Sequence, residues 1–583
     1  MKEEDNKQLF TEFPEITTAQ WEEKILADLK GADYQKKLIW RTDEGVDVKP
    51  YYRAEDVDPL GYLKHAGKLK KTDSAPNQWT ICQDIFPGED PQETNSRIKS
   101  ALKGGAEAIR IHLGDAPPIG QEMIHSLLEG IPLGETEFIF QGSLMADALY
   151  ELLCTFAHSK GVNEADLKGS PGADPLGKMV VSGIPIASLE NLGKLVKRVK
   201  KDSPDMRIID VNGTIFQNSG SNLVEELAFG LAMANEYLAI LTAQGIDPTE
   251  AISSLQLNLT SGSNYFLEVA KLRAARILWG KICEGYGVEP GEGKIRIHST
   301  SSEWNMTLYD PYVNMLRGTT EAMSAIIGGA DLVSVLPFDY PYGKSSEFSD
   351  RIARNVQIIL REEAYFDKVA DPSSGSYYIE SLTDSIGEKA WDLFRETESK
   401  GGFRKAFESG WIQEMVLASR NKRAERAASG RGRILGTNAF PNFNELIYEN
   451  LDERKMSASY ETPLTSLVPF RLSSLFEEVR LETERSKKRP RVLLLKYGNP
   501  AWMTARAMFS GNFFACAGYE IVDLPAAGTI EEVIETARET DADIVVLCSS
   551  DDAYPTLAPS LHEALKERSI IVVAGYPADS LED

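Results

Sequence analysis

The chain has 583 residues, 42% hydrophobic and 26% charged, a globular composition too long for one ordinary core. Its 63 Lys and Arg face 88 Asp and Glu, a formal net charge of −25. Such a surface repels phosphate backbones and anionic lipid, which argues against nucleic acid and membranes as general partners. A small anion held in a local basic pocket stays open.

The opening stretch MKEEDNKQLF is acidic and has no apolar signal core, and no apolar run later reaches the ~18–20 residues of a membrane span. Five cysteines (Cys82, Cys154, Cys283, Cys516 and Cys548) are odd in number and far apart. They suit neither a disulfide scaffold nor a C-x-x-C pair, and a cytoplasmic, reducing location is expected. Residues 1–75 form an N-terminal arm. Trp21, Ile25, Leu26 and Leu29 recur at helical spacing and Gly31 supplies a stop. An arm this short buries little alone and is expected to pack on something else.

From 76 to 400 short apolar runs alternate with helical segments. AIRIHL (108–113), EFIFQG (137–142), KMVVSG (178–183), RIIDVNG (207–213), QLNLTSG (256–262), KIRIHSTSS (294–302) and DLVSVLPFD (331–339) each end in small or polar residues. The most amphipathic helical stretch is 264–282. This alternation predicts an α/β fold, a (β/α)8 TIM-type barrel whose polar strand ends line the mouth. Residues 401–490 hold a charged stretch, 419–433, and a basic run, Lys487-Lys488-Arg489. They are expected to be solvated linker. From 491 to 583, RVLLLKYG (491–498), YEIVDLP (519–525), DIVVLCSS (543–550) and IIVVAGY (570–576) predict a smaller flavodoxin-like parallel domain. A fifth strand–helix unit would ordinarily follow, so the domain is expected to be trimmed.

Familiar chemical motifs are missing: no Walker loop, G-x-S-x-G, H-E-x-x-H or Cys/His cluster occurs. His112 and His298 lie in strand-like runs and are expected to be satisfied core or rim residues. The Gly328-Gly329 pair is expected to be a helix C-cap. Trp279, Trp304, Tyr309 and Tyr312 are expected in core or interface, and Arg273, Arg276, Arg351 and Arg354 in helix-surface ion pairs.

Several long strings carry a resemblance. IRIHSTSSEWNMTLYDPYVNMLRGTTEAMSAIIGGADLVSVLPFD, FSDRIARNVQIILREE, DPSSGSYYIESL, NYFLEVAKLRAARILW, KGADYQKKLIWRTDEGVDVKPYY and QWTICQ closely resemble the methylmalonyl-CoA mutase family. The resemblance covers nearly the whole chain. It implies a barrel that rearranges an acyl-CoA and a C-terminal cobalamin-binding-type domain, with adenosylcobalamin as cofactor. It also implies which positions should carry the chemistry. Cobalamin-binding members have D-x-H-x-x-G after the first strand of the last domain. Here Pro500, Trp502 and Ala505 stand in the Asp, His and Gly places. An indole has no basic lone pair for cobalt, and its ring is expected to fill the space of the cofactor tail. The segments that admit that tail read Cys548-Ser549-Ser550-Asp551-Asp552 and Ala574-Gly575-Tyr576, with two acids that would repel a phosphate.

In the barrel, the family's Arg-Gln-Tyr corresponds to Cys82-Gln83-Asp84, and its Tyr-His pair to Thr214-Ile215. The segment with an Arg for the substrate carboxylate is missing between about Gly183 and Arg207. Four separate chemical functions are therefore altered. The expectation is a degenerate domain and a chain with no catalytic, cofactor-binding or metal residues of its own. It would be the small, non-catalytic partner of a large subunit that binds adenosylcobalamin and the acyl-CoA. The alternatives are an active mutase of altered specificity, or a regulatory subunit whose mouth, at Ser299 to Ser302 and Glu303, still takes an acyl-CoA.

Overall fold

The computed structural model describes residues 14, 16–64, 77–88, 90–113, 120–142, 145–186, 189–289, 291–343, 345–447, 465–486 and 488–576. A two-stranded hairpin, β1 (Trp40–Arg41) and β2 (Asp47–Val48), lies in the arm. Eight parallel strands follow: β3 (Thr80–Ile85), β4 (Ala108–His112), β5 (Glu137–Gln141), β6 (Lys168–Ser170), β7 (Ile209–Asn212), β8 (Leu255–Ser261), β9 (Arg296–Ser301) and β10 (Leu332–Ser334). Their order is β6-β5-β4-β3-β10-β9-β8-β7. A parallel bridge between Ala173 and Ile209 joins the two ends, so the sheet closes into the expected barrel.

Six of the seven barrel runs picked from the sequence are strands. The seventh, 178–183, is not: it lies in the helix Pro175–Ser182. Asp174 caps that helix by accepting from the Gly177 N–H, Pro175 fits its first turn, and Gly183 ends it at φ 68°. Leu176, Met179 and Val180 are buried on one face, a helical spacing that a run of apolar letters hides. The strand in this part of the barrel is the three-residue β6. There Gly169, at φ 111°, lets the backbone pass where a Cβ would lie 1.8 Å from the Phe138 carbonyl oxygen.

The described arm packs partly on its own barrel. Tyr62 donates to the Glu380 carbonyl at 3.1 Å, Tyr52 meets Tyr378, and Arg426 pairs with Asp43 at 2.6 Å. The helix Thr18–Asp28 differs, because it buries none of its side chains. The charged stretch 419–433 is no solvated linker where it runs through the helix Trp411–Ala428. Arg423 lies 4.2 Å from the centre of the Trp304 ring, Arg420 4.9 Å from that of Phe470, and Ile412 and Val416 enter the core. The helix Ser474–Arg485 is docked as well: Glu477 accepts from the Leu308 N–H at 2.7 Å and the Tyr309 hydroxyl donates to Glu484 at 2.7 Å.

The last domain has four parallel strands, β11 (Arg491–Lys496), β12 (Glu520–Asp523), β13 (Ile544–Cys548) and β14 (Ile570–Val573), in the order β12-β11-β13-β14. All four were predicted. Separate apolar clusters cover its two faces, one built on Leu493, Val545 and Leu547, the other on Val492, Leu494 and Val546.

Candidate functional site

Folds of this kind take their ligands in two places: the bore of the barrel, and the crevice where the small sheet changes direction between β11 and β13. In the bore, register places Asp84 of β3 opposite Arg110 of β4. Arg110 Nε and Nη2 donate to the two Asp84 carboxylate oxygens at 2.6 Å each. Nη2 also donates to the Thr300 hydroxyl of β9 at 2.8 Å, and Ser334 of β10 donates to Asp84 at 3.2 Å. His298 lies 2.9 Å from the Ser334 hydroxyl and 3.5 Å from the Arg110 fork. Burial alone would raise the Asp84 carboxyl, but Arg110 and His112 overcome it and hold the group well below the usual carboxylate range. His298 is lowered by burial and by Arg110, so it stays neutral.

Aromatic rings lie above this pair. Phe86 stacks on His112 with ring centres 4.2 Å apart, and Tyr340 sits 5.2 Å from Phe86 and donates to Glu303 at 3.0 Å. Cys82, Ala108, Ile139 and Leu332 form a small apolar cluster among the inner residues. The strand-end serines are used internally. Ser299 meets Ser261 at 2.8 Å, Ser301 accepts from the Leu336 N–H at 2.8 Å, and Ser302 donates to Gln217 at 2.9 Å. Ile215 is 7% exposed and belongs to the main core.

The crevice in the last domain is likewise occupied by side chains. Ser549, just past β13, donates to the Tyr497 carbonyl past β11 at 2.8 Å and ties the two loops together. Tyr554 is 1% exposed, and its hydroxyl lies 2.8 Å from the carbonyls of Ser549 and Ala574. Arg506 reaches in from the helix Pro500–Cys516. It donates to the Tyr554 hydroxyl at 2.7 Å, to the Ser549 carbonyl, and to Asp551 at 2.7 Å. A Cβ on Gly575 would come within 2.7 Å of Asp551 and 2.9 Å of Arg506.

Trp502 departs from expectation. It does not fill a cavity: it sits in the first turn of its helix, 54% exposed, with the Arg506 guanidinium 5.0 Å from its ring centre. Helix geometry gives the reason. Asn499 caps the helix by accepting from the Ala501 N–H, which starts the helix at Pro500 and turns Trp502 outward. Arg506 and Tyr554 do the filling instead. Neither stood out in the sequence, nor did Arg110, although a lone Arg inside the apolar run AIRIHL signals a buried cation that requires a carboxylate.

The expected histidines are found as rim and core residues, His112 with a side chain 22% exposed and His298 fully buried. Gly328 and Gly329 end their helix as expected. Trp279, Trp304 and Tyr309 are buried, whereas Tyr312 is exposed. Arg273 pairs with Asp371 and Glu380, and Arg276 with Asp331 at 2.9 Å, both more deeply set than a surface pair. Arg354 donates to Gln83 at 2.6 Å. Among the described residues, no group of three or more His, Cys, Asp or Glu could hold a metal ion, and no helix is long and apolar enough to cross a membrane.

The model of one family, methylmalonyl-CoA mutase, matches residues 41–467. The chain belongs to this family. It is 40% identical to the methylmalonyl-CoA mutase small subunit of Porphyromonas gingivalis, over 98% of this chain and 94% of that one. It is 32% identical to the small subunit of Streptomyces virginiae over 98% and 94%, and 31% identical to that of Propionibacterium freudenreichii subsp. shermanii over 95% and 88%. Mutases are isomerases, and the family places this chain among them. The D-x-H-x-x-G pattern that the sequence resemblance implies would offer cobalt an imidazole beside a crevice open to the cofactor tail. The residues present, an outward indole at 502 and the Arg506–Tyr554–Asp551 cluster, do not fit that group.

Proposed function

We propose that this chain is the catalytically silent small subunit of a heterodimeric methylmalonyl-CoA mutase. A large subunit would bind adenosylcobalamin and the acyl-CoA and interconvert methylmalonyl-CoA and succinyl-CoA, and this chain would keep it folded and soluble. The observation that carries the reading is the crevice between β11 and β13. Tyr554, Arg506 and Asp551 hold one another there by hydrogen bonds and an ion pair, at the strand ends where a sheet of this kind takes its ligand. The Asp84–Arg110 pair in the bore and the burial of Ile215 support the loss of catalytic roles.

This chain would divide as arm (1–75), barrel (76–400), connecting region (401–490) and degenerate cobalamin-type domain (491–583). The arm makes subunit contact, which the unburied apolar stripe of the helix Thr18–Asp28 supports. Five free cysteines favour a reducing cytoplasm. The test is corrin absorbance retained by the purified chain after gel filtration with adenosylcobalamin. None retained is expected, and near one corrin per chain overturns the reading.

A further inference from the structure

The groups around Asp84 form more than an ion pair. Its carboxylate receives the two-pronged fork of Arg110 at 2.6 Å per oxygen and the Ser334 hydroxyl at 3.2 Å. His112 Nε2 points to the same carboxylate from 3.6 Å; that atom is buried and makes no hydrogen bond, although the rest of the ring is partly exposed. These donors come from β4 and β10, whereas the carboxylate comes from β3. Each main donor also has an anchor independent of Asp84. Arg110 Nη2 is held by the Thr300 hydroxyl at 2.8 Å, and Ser334 by His298 Nε2 at 2.9 Å. Truncating Asp84 would therefore leave a buried fork, a hydroxyl and an imidazole converging on a space of carboxylate size. An uncompensated guanidinium there is costly, and a small anion of matching geometry relieves it.

We propose that the bore contains a carboxylate-binding site whose resident ligand is the chain's own Asp84, and that a free small carboxylate takes its place when Asp84 is truncated. The inference rests on the reading of this barrel as silent, since it supplies the reason: the donors that could hold an acidic substrate are already satisfied from within. Asp84 has no exposed side-chain surface, and the neighbouring His112, partly exposed and stacked by Phe86, marks the way in.

The test uses the full-length chain carrying Asp84→Ala, melted in sodium formate and in sodium chloride at matched ionic strength. A saturable, formate-specific rise in melting temperature is expected for Asp84→Ala. No such rise is expected for the parent or for Asp84→Ala combined with Arg110→Met. The proposal is overturned by equal melting of Asp84→Ala in both salts, or by an equal formate effect in the double variant. Should Asp84→Ala not fold in chloride, refolding yield becomes the readout: recovery in formate alone supports the site, and failure in both salts overturns it. A missing formate effect leaves the corrin result standing, and retained corrin leaves the formate effect standing, so the two failures are read separately.

Discussion

Replacing Trp21 by serine isolates the arm's role. The helix Thr18–Asp28 has Trp21 51% exposed and Leu26 54% exposed, and buries none of its residues in the chain alone. A buried Trp removes roughly 200 Å² from water. Covering the exposed half of Trp21 with a partner therefore takes about 100 Å², and at ~25 cal/mol/Å² contributes about 2.5 kcal/mol. Trp21→Ser should then weaken subunit association by about 50- to 100-fold. The isolated chain should lose no more than a similar amount, because only the other half of Trp21 is covered there, in part by Tyr51, whose ring centre is 6.0 Å away. Dissociation of the assembled pair on dilution measures the first effect and thermal melting of the isolated chain the second. An affinity within threefold of the parent would refute the reasoning, as would a large loss of stability without the partner.

Two other predictions concern the interior. Arg110→Met strands the buried Asp84 carboxylate and should cost about 3–5 kcal/mol in urea unfolding; adding Asp84→Leu should recover most of it, and a double variant no better than the single would contradict the paired account. Burial pushes the Glu321 carboxyl from its ordinary 4.5 up to about 7, against hydrogen bonds from Asn305 and the Ser302 N–H. The folded chain then keeps a proton that the unfolded chain releases. The stability from this group is fully present below pH ~4.5 and is lost as pH rises through about 7. Relative to Glu321→Gln, the parent should lose on the order of 3 kcal/mol across that window, from 1.36 kcal/mol per pKa unit. A pH-independent difference between the two would show that Glu321 is ionised throughout.

Much of the architecture was legible because parallel strands packed against helices read as short apolar runs. That signal marked β4, β5, β7 to β10 and all four strands of the last domain. It failed where apolar letters serve a helix, at 178–183, because the deciding features are a capping Asp174 and a left-handed Gly183 outside the run. It also failed for β6, three residues long, whose close packing depends on Gly169 rather than on side chains. The altered site positions were visible as letters, but what replaced the chemistry was not. That Asp84 meets Arg110 depends on the register of β3 against β4, and that Arg506 and Tyr554 occupy the crevice depends on two helices distant in sequence. The outward turn of Trp502 follows from where Asn499 starts its helix, a geometric fact that residue type does not carry.

A silent small subunit means that one site of the assembled pair works and this one does not. The direct measurement is the corrin content of the purified heterodimer, set beside subunit mass. One corrin per pair is expected, with activity only when the large subunit is present. Two corrins per pair, or turnover by this chain alone, would contradict it.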